Sequence, residues 1–209
     1  KVTSAESAEF FNHVERLIGP SRLLVISGTA VEGEADERYA DFIDCAHRCQ
    51  TPVLLDSYRV HGKRALLSSP DILKINADEL ADLTGRKTGT FDERKVAALH
   101  LIDTYGLHWV IITLGASGAE GFAASQSVRV ELPSIQIVNS IGAGDSFTAG
   151  VAAGFIDANE ASEPFSNIET AGIMGAAAGT ANCLDIKPGR FDYSTYREFL
   201  DRIGTIDNP

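Results

Sequence analysis

Two glycines and an aspartate stand together within residues 138–150, VNSIGAGDSFTAG, just before a run of small and apolar residues. Glycines before a helix let backbone N–H groups turn toward one point, and these groups together with the helix dipole form an anion site. Asp145, in the first predicted turn, could take a proton from a hydroxyl that attacks a phosphate held over Gly142, Ala143 and Gly144. Alternatively, Asp145 only complements the helix dipole. Taken alone, this segment favours the second interpretation, in which Asp145 only complements the helix dipole.

A second segment, KINADEL at residues 74–80, also has two interpretations. Asn76 and Glu79 have the spacing of a capping box, with Asn as the N-cap and Glu at the third helical position. Their oxygens, at the carboxyl end of a strand, could instead surround a hydrated Mg²⁺, while Lys74 meets a phosphate as a point charge. Taken alone, the spacing favours the cap.

Two further segments offer groups that could line a pocket. In TLGASG, Thr113, Gly115 and Gly118 follow a predicted strand and form either a tight turn into a hairpin or a wall for a nucleotide. In GTANCL, Asn182 ends an Ala/Gly-rich helix and either caps it or faces a pocket. Two common nucleotide motifs, G-x-x-x-x-G-K-[ST] and G-x-G-x-x-G, are absent from the sequence.

Strands and helices must position these groups, and the hydrophobic pattern predicts that they alternate. Buried strands are predicted over residues 23–27, 52–56, 71–75 and 109–114, and short meander strands over 121–124, 127–132 and 135–138. Helices are predicted over residues 4–18, 34–50, 77–83, 91–105, 145–156, 168–183 and 194–203, and a short helix is predicted to end within 66–69. This order predicts one α/β domain over residues 1–209, with a parallel sheet, helices on both faces and ligands at the carboxyl ends of the strands.

Composition limits the partners of this 209-residue, 22.3 kDa chain. A formal net charge of −11 excludes a general affinity for nucleic acid, because phosphate backbones need clustered Lys and Arg. A phosphate ligand must therefore be held by local N–H groups, single lysines or a metal ion. The sequence has no apolar run of membrane-spanning length, and its three scattered cysteines suit a reducing cytoplasm rather than a disulfide framework.

In combination, the three segments KINADEL, TLGASG and NSIGAGDSF resemble the ribokinase-like (PfkB-type) carbohydrate kinases. KINADEL is similar to the family pattern K-P-N-x-x-E, with Ile75 in place of Pro. TLGASG is similar to its nucleotide loop, and NSIGAGDSF to its G-A-G-D signature. The resemblance implies a three-layer fold with a mostly parallel central sheet, and ATP-dependent phosphorylation of a sugar or sugar phosphate. Within the family, the residues of these motifs are most similar to those of the 1-phosphofructokinase and tagatose-6-phosphate kinase branch.

The resemblance also implies a role for each matching residue. Asp145 would be the catalytic base, and the N–H groups of residues 142–145 would form the anion hole for the transferred phosphoryl group. Asn76 and Glu79 would organise Mg²⁺, and Lys74 would contact the ATP phosphates. The remaining implied contacts flank the nucleotide: Thr113, Gly115, Gly118 and, near the adenine, Asn182.

Besides Ile75, the chain departs from the family pattern in two places. Asn139-Ser140 stands where many members have Asp-Thr, which leaves a monovalent cation open as a further cofactor. The family's opening strands, Gly-rich sugar motif and lid have no counterpart before Ser4, so we expect a fragment or a shortened relative, and a homodimer if the full-length protein has the lid. The alternatives are a non-catalytic nucleotide-binding domain, a ribokinase- or fructokinase-type activity, or an unrelated α/β protein.

Overall fold

A seven-stranded sheet organises the protein, and its strands follow one another in chain order from edge to edge. The structure is a computed structural model that describes residues 1–161 and 165–207. Strands β1–β4 are parallel, and β5–β7 extend the sheet in antiparallel pairs. The strands are β1 Leu24–Ser27, β2 Val53–Asp56, β3 Ile72–Asn76, β4 Trp109–Thr113, β5 Ala119–Phe122, β6 Ser127–Val130 and β7 Thr205–Asp207.

Helices connect the parallel strands and follow the antiparallel ones. They are α1 Ser4–Ile18, α2 Arg38–Arg48, α3 Val60–Ala65, α4 Ala77–Thr84, α5 Phe91–Tyr105, α6 Ala143–Ala161, α7 Ile168–Asn182 and α8 Tyr193–Arg202. Helices α1, α4 and α5 each begin with a capping box, in which the N-cap side chain and a Glu three residues later satisfy each other's backbone N–H. Glycines in the left-handed conformation, Gly85 and Gly106, end α4 and α5.

Apolar side chains alternate between the two faces of the sheet, as the strand period requires. In β2, Val53 and Leu55 belong to the core on the face covered by α1, α2 and α5, whereas Leu54 belongs to the core under α6, α7 and α8. In β4, Ile112 belongs to the first of these cores and Ile111 to the second. The predicted α/β fold with helices on both faces is confirmed.

The prediction of a third meander strand over residues 135–138 is wrong. This stretch is irregular, because its backbone binds the end of α7 instead of a neighbouring strand: Val138 N and Asn139 N donate to Cys183 O at 2.8 and 3.2 Å. The short strand β7, which pairs with β6, was not predicted. Several boundaries also move. Helix α2 begins at Arg38 rather than at residue 34, β5 begins at Ala119 rather than at residue 121, and α6 runs over Ala143–Ala161 rather than 145–156.

The remaining expectations concern membranes and cysteines. Within the described part of the chain, none of the helices combines the length and apolar character that crossing a membrane requires. The three cysteines, Cys45, Cys49 and Cys183, are free thiols. Cys45 is buried in α2, and Cys49 follows that helix at the surface.

Helices α6 and α7 pack closely because glycines remove the side chains between them. A Cβ on Gly150 would lie 2.3 Å from Met174 O, and one on Gly154 would lie 2.7 Å from the Cα of Ala171. Near the start of α6, a Cβ on Gly179 would lie 3.1 Å from Ala143 O. This close approach fixes the first turn of α6 against the end of α7.

Gly150→Ala should therefore destabilise the protein although alanine is the better helix former. The added methyl group meets backbone atoms of α7, so we expect the free energy of unfolding in urea to fall by about 1–3 kcal/mol. The control is Ala153→Ser on the exposed face of α6, which should stay within about 0.5 kcal/mol of wild type. A Gly150→Ala protein as stable as wild type would contradict the close packing.

Candidate active site

Polar side chains stand in a row where the four parallel strands end. Ser27 of β1 is the register partner of Asp56 of β2, and Asn76 of β3 is the register partner of Thr113 of β4. The carboxyl edge of a parallel sheet is the usual place for a ligand in such folds. The side chains that follow this edge are therefore the first candidates for a functional site.

Asp56 is the centre of a buried polar network at this edge. Lys74 Nζ donates to Asp56 Oδ1 at 3.1 Å, and the two side chains are only 9% and 13% exposed. Thr148 Oγ1, from α6, donates to Asp56 Oδ2 at 2.6 Å and lies 3.0 Å from Gly144 O. Ser27 Oγ donates to the same carboxylate at 3.2 Å. One carboxylate thus links β1, β2, β3 and the second turn of α6.

The start of α6 lies directly over Lys74. A Cβ on Gly144 would lie 3.4 Å from Lys74 Nζ, so the absence of a side chain lets the ammonium approach the helix. Gly142 has φ +82°, and a Cβ there would lie 2.5 Å from Gly189 N. Gly142 is therefore required by its conformation, whereas Gly144 leaves the turn open beside the Lys74 ammonium.

The backbone N–H groups at this helix start are not equivalent. The first helical hydrogen bond runs from Ser146 N to Gly142 O, so the N–H groups of Gly144 and Asp145 come before the helical ladder. Ala143 N instead donates to Ser140 O at 3.2 Å. The Asp145 side chain is exposed in the same turn. The arrangement joins a helix N-terminus, a buried cation and a solvent-facing carboxylate, which together suit a phosphate and a proton acceptor.

A cavity of about 510 Å³ opens beside this helix start. It lies between the β4–β5 connection, the extended chain after β6 and one face of α7. Thr113, Gly115 and Gly118 line it together with Ala143 and Gly144, so the structure brings these five predicted residues to one cavity. Its other walls are Ala116, Leu132, Pro133, Ser134, Ile135, Ile137, Ser140, Phe147, Ala176, Gly179, Thr180 and Cys183.

Two residues of the cavity wall have features that bear on a ligand. Gly118 has φ +94°, and a Cβ there would lie 1.9 Å from Val130 O, so only glycine fits this corner. Burial raises the pKa of the Cys183 thiol, which keeps it neutral near pH 7 and makes it a small, weakly polar part of the wall.

Asn182 lies behind the helix start and does not line this cavity. Its fully buried amide donates from Nδ2 to Ile141 O at 3.0 Å. Its Oδ1 accepts from Gly189 N at 2.7 Å and from Ser146 Oγ at 3.2 Å. The side chain thus fastens both segments that meet at Gly142, and its predicted contact near the adenine stays a prediction.

Asn76 and Glu79 form the capping box of α4. Asn76 Oδ1 accepts from Glu79 N, and Glu79 Oε2 accepts from Asn76 N, both at 2.9 Å. Asn76 also lines a second cavity of about 500 Å³, which shares Thr113 and Gly115 with the first. Among the described residues, no three His, Cys, Asp or Glu side chains are grouped to hold a metal ion; Mg²⁺ commonly uses only one or two protein carboxylates, with waters and phosphates completing its shell.

Arg94 lines the second cavity, but a carboxylate of the protein neutralises its charge. Arg94 binds Glu120 through two nitrogens, at 2.7 and 2.6 Å, and Arg129 Nε lies 3.6 Å from the same carboxylate. The hydrogen bond to Glu120 raises the pKa of Arg94. This pair anchors α5 to β5 and so supports the β4–β5 connection.

Several contacts of the site escaped the sequence analysis. Asp56 ends a predicted strand, and Thr148 is a polar residue one turn after Gly144, but neither pattern indicates that they meet. Thr180 stands out only as a polar residue in an Ala/Gly-rich helix. The apolar wall at residues 132–137 was divided between two predicted strands.

Comparisons with known proteins show the family and the fold of this chain. A model of the pfkB family of carbohydrate kinases matches residues 2–190. A tagatose-6-phosphate kinase of Staphylococcus epidermidis is 29% identical over 205 residues, which cover 97% of this chain and 64% of that protein. The chain thus spans 64% of the length of this curated relative.

Solved structures share the fold at low sequence identity. A phosphofructokinase-2 variant of Escherichia coli superposes with a TM-score of 0.85 at 23% identity, covering 96% of this chain and 62% of that one. An Arabidopsis thaliana ribokinase complexed with ribose and ATP has a TM-score of 0.74 at 22% identity, covering 90% of this chain and 59% of that one.

Asp56→Asn should destabilise the protein, because it leaves the Lys74 ammonium buried without a counter-charge. We expect a loss of about 3 kcal/mol in the free energy of unfolding, measured in urea. The double variant Asp56→Asn/Lys74→Met should recover part of this loss, since it buries no unpaired charge. Ser27→Ala, which removes only the longest of the three hydrogen bonds to Asp56, should cost less than about 1 kcal/mol. Equal stability of Asp56→Asn and wild type would refute the role of the pair.

Proposed function

The chain belongs to the pfkB family of carbohydrate kinases, and on that premise we propose that it is the nucleotide-binding and catalytic part of an ATP-dependent sugar or sugar-phosphate kinase. The observation that carries the proposal is the continuity between the 510 Å³ cavity and the start of α6. Because the chain spans 64% of its curated relative, the activity, acceptor and partners of the whole protein belong to the same proposal.

The cavity is the proposed site of the nucleotide. Its apolar wall at residues 132–137 and the small side chains of α7 suit a flat base, and Thr113, Gly115 and Gly118 line its other side. Gly144 also lines the cavity and belongs to the first turn of α6. The phosphates would therefore meet the N–H groups of Gly144 and Asp145. Lys74, whose ammonium lies beside Gly144, would contribute a positive charge.

Asp145 is the proposed general base. Its exposed carboxylate accepts the proton of the acceptor hydroxyl, whose oxygen forms a bond to the γ-phosphorus as the bond from that phosphorus to the β–γ bridging oxygen breaks. The helix N-terminus and Lys74 stabilise the charge on the transferred group. The products are a phosphorylated sugar and ADP, with the proton on Asp145.

Asn76 and Glu79 are the residues that would hold Mg²⁺ through its waters, and the ion, when bound, would supply positive charge to the phosphates of the nucleotide. A carboxylate has two oxygens, and the capping box uses only Oε2 of Glu79. The cap and the metal contact are therefore compatible. The capping geometry also fixes the direction of both side chains at the carboxyl edge of β3.

We include no monovalent cation in this proposal. Asn139 stands where many members of the family have a carboxylate, and its amide is engaged within the chain. Nδ2 donates to Ile186 O at 2.8 Å, and Oδ1 accepts from Ile141 N at 3.0 Å. This side chain brings no negative charge to the loop before α6.

The tagatose-6-phosphate kinase relative supports a sugar phosphate as the acceptor. Fructose 6-phosphate, tagatose 6-phosphate, ribose and fructose form the panel that separates this activity from ribokinase- and fructokinase-type activities. The three free cysteines support a reducing compartment, and we propose the cytoplasm. Binding of Mg-ATP without turnover of any member of the panel would favour a non-catalytic nucleotide-binding domain.

Asp145→Asn should lower kcat by roughly 10²–10⁴-fold, because the amide cannot accept the hydroxyl proton. Mg-ATP binding, measured by calorimetry, should persist, since the N–H groups and Lys74 are retained. The matched control is Asp92→Asn, which changes an exposed aspartate in the first turn of α5 and should leave kcat unchanged. An Asp145→Asn protein with wild-type turnover would exclude Asp145 as the base.

Glu79→Gln separates capping from metal binding, because Gln also completes a capping box. We expect the free energy of unfolding to fall by less than about 1 kcal/mol, while the Mg²⁺ concentration for half-maximal turnover rises roughly tenfold or more. Glu93→Gln makes the same change in the capping box of α5 and should not alter the Mg²⁺ requirement. An unchanged Mg²⁺ requirement in Glu79→Gln would contradict the proposed metal contact.

A further inference from the structure

Two thiols lie one helical turn apart at the C-terminal end of α2. Cys45 is 2% exposed and belongs to the core, whereas Cys49 ends the helix at the surface. Cys49 N donates to Cys45 O at 3.2 Å, and across such a turn the Cα atoms lie about 6 Å apart, within the range that a disulfide spans. Because Gln50 already leaves the helix with φ +58°, the adjustment that brings the two Cβ atoms closer disturbs no further turn.

Both thiols face the end of α1. Cys45 Sγ donates to Glu15 Oε1 at 3.8 Å, and a Cβ on Gly19 would lie 3.9 Å from Cys49 Sγ. The two thiols also share a hydrogen bond. The third cysteine, Cys183, follows α7 on the other face of the sheet, so the two cysteines of α2 form a separate dithiol.

Burial gives the two thiols different access to an oxidant. Burial, the Glu15 carboxylate and the neighbouring thiol raise the pKa of Cys45, so this thiol stays neutral near pH 7 and is also closed to solvent. Cys49 is exposed at the surface. Peroxides oxidise the cysteines that solvent reaches, and Cys49 therefore reacts first.

We propose that Cys49 is a site of reversible oxidation by hydrogen peroxide, and that Cys45 converts the oxidised sulfur into an internal disulfide. The Cys49 sulfur attacks a peroxide oxygen and the O–O bond breaks, which gives a sulfenic acid and water. The Cys45 sulfur then bonds to the Cys49 sulfur as the S–O bond breaks. The proton of Cys45 passes through the Glu15 carboxylate to the departing hydroxide, which becomes water. The dithiol thus supplies two electrons and peroxide becomes two waters.

The role of Cys45 is to keep this oxidation reversible. A sulfenic acid without a neighbouring thiol goes on to sulfinic and sulfonic acids, which thiols do not reduce. A disulfide is reduced by an external thiol, which restores both cysteines. This proposal stands on the geometry of α1 and α2 and is independent of the proposed kinase activity.

The test treats the folded 209-residue chain with hydrogen peroxide and follows its mass. Wild type should lose about 2 Da, the mass of the two hydrogens removed when a disulfide forms. Trypsin cleaves after Arg48, between the two cysteines, so the disulfide should appear as joined peptides of residues 39–48 and 49–59. Dithiothreitol should separate these peptides and restore the original mass.

Two variants separate the roles of the thiols, and a third is the control. Cys45→Ala should accumulate at least about tenfold more sulfinic acid at Cys49 than wild type, a gain of about 32 Da on the peptide of residues 49–59. Cys49→Ala, which changes an exposed side chain, should leave Cys45 unoxidised. Cys183→Ala should form the same disulfide as wild type. Equal sulfinic acid in wild type and Cys45→Ala, joined peptides that contain Cys183, or no oxidation of Cys49 would each overturn the proposal.

Discussion

The ion pair between Lys74 and Asp56 is the constraint on which the rest of the site depends. A lysine this deeply buried requires a counter-charge, because an isolated ammonium is strongly disfavoured away from water. Asp56 supplies that charge while its second oxygen accepts from Thr148 of α6. The pair therefore does more than join two neighbouring strands, because it also holds the N-terminal part of α6 against the carboxyl edge of the sheet. The positive charge consequently lies beneath the N–H groups that face a ligand.

Close packing between α6 and α7 also holds the start of α6 in place. Glycines in α6 and α7 let the two backbones approach, and the small residues at the end of α7 also form a wall of the cavity. Asn182 fastens the loop before α6 through its buried amide. Packing and ligand binding thus use the same residues, so a substitution that separates the helices also opens the proposed nucleotide site.

The sequence predicted the elements better than it predicted their contacts. The capping box at Asn76 and Glu79, the parallel strands and the helices agree with the structure, because each depends on neighbours a few residues away. Residues 135–138 were predicted as a strand from their apolar pattern, yet they bind Cys183 O rather than a strand. A pattern of apolar residues cannot indicate which backbone partner a segment will find.

The sequence by itself determined the glycines and aspartate at the start of α6, the order of strands and helices, and the family signature. Each of these depends on local backbone geometry or on short spacing. The tertiary structure alone decided that Asp56 meets Thr148, 92 residues away, and that Asn182 binds Ile141, 41 residues away. It also decided that Thr180 faces a cavity with an unpaired hydroxyl in the described structure. Such contacts depend on how whole helices and strands pack, and burial changes the energy of a polar group only once that packing is complete.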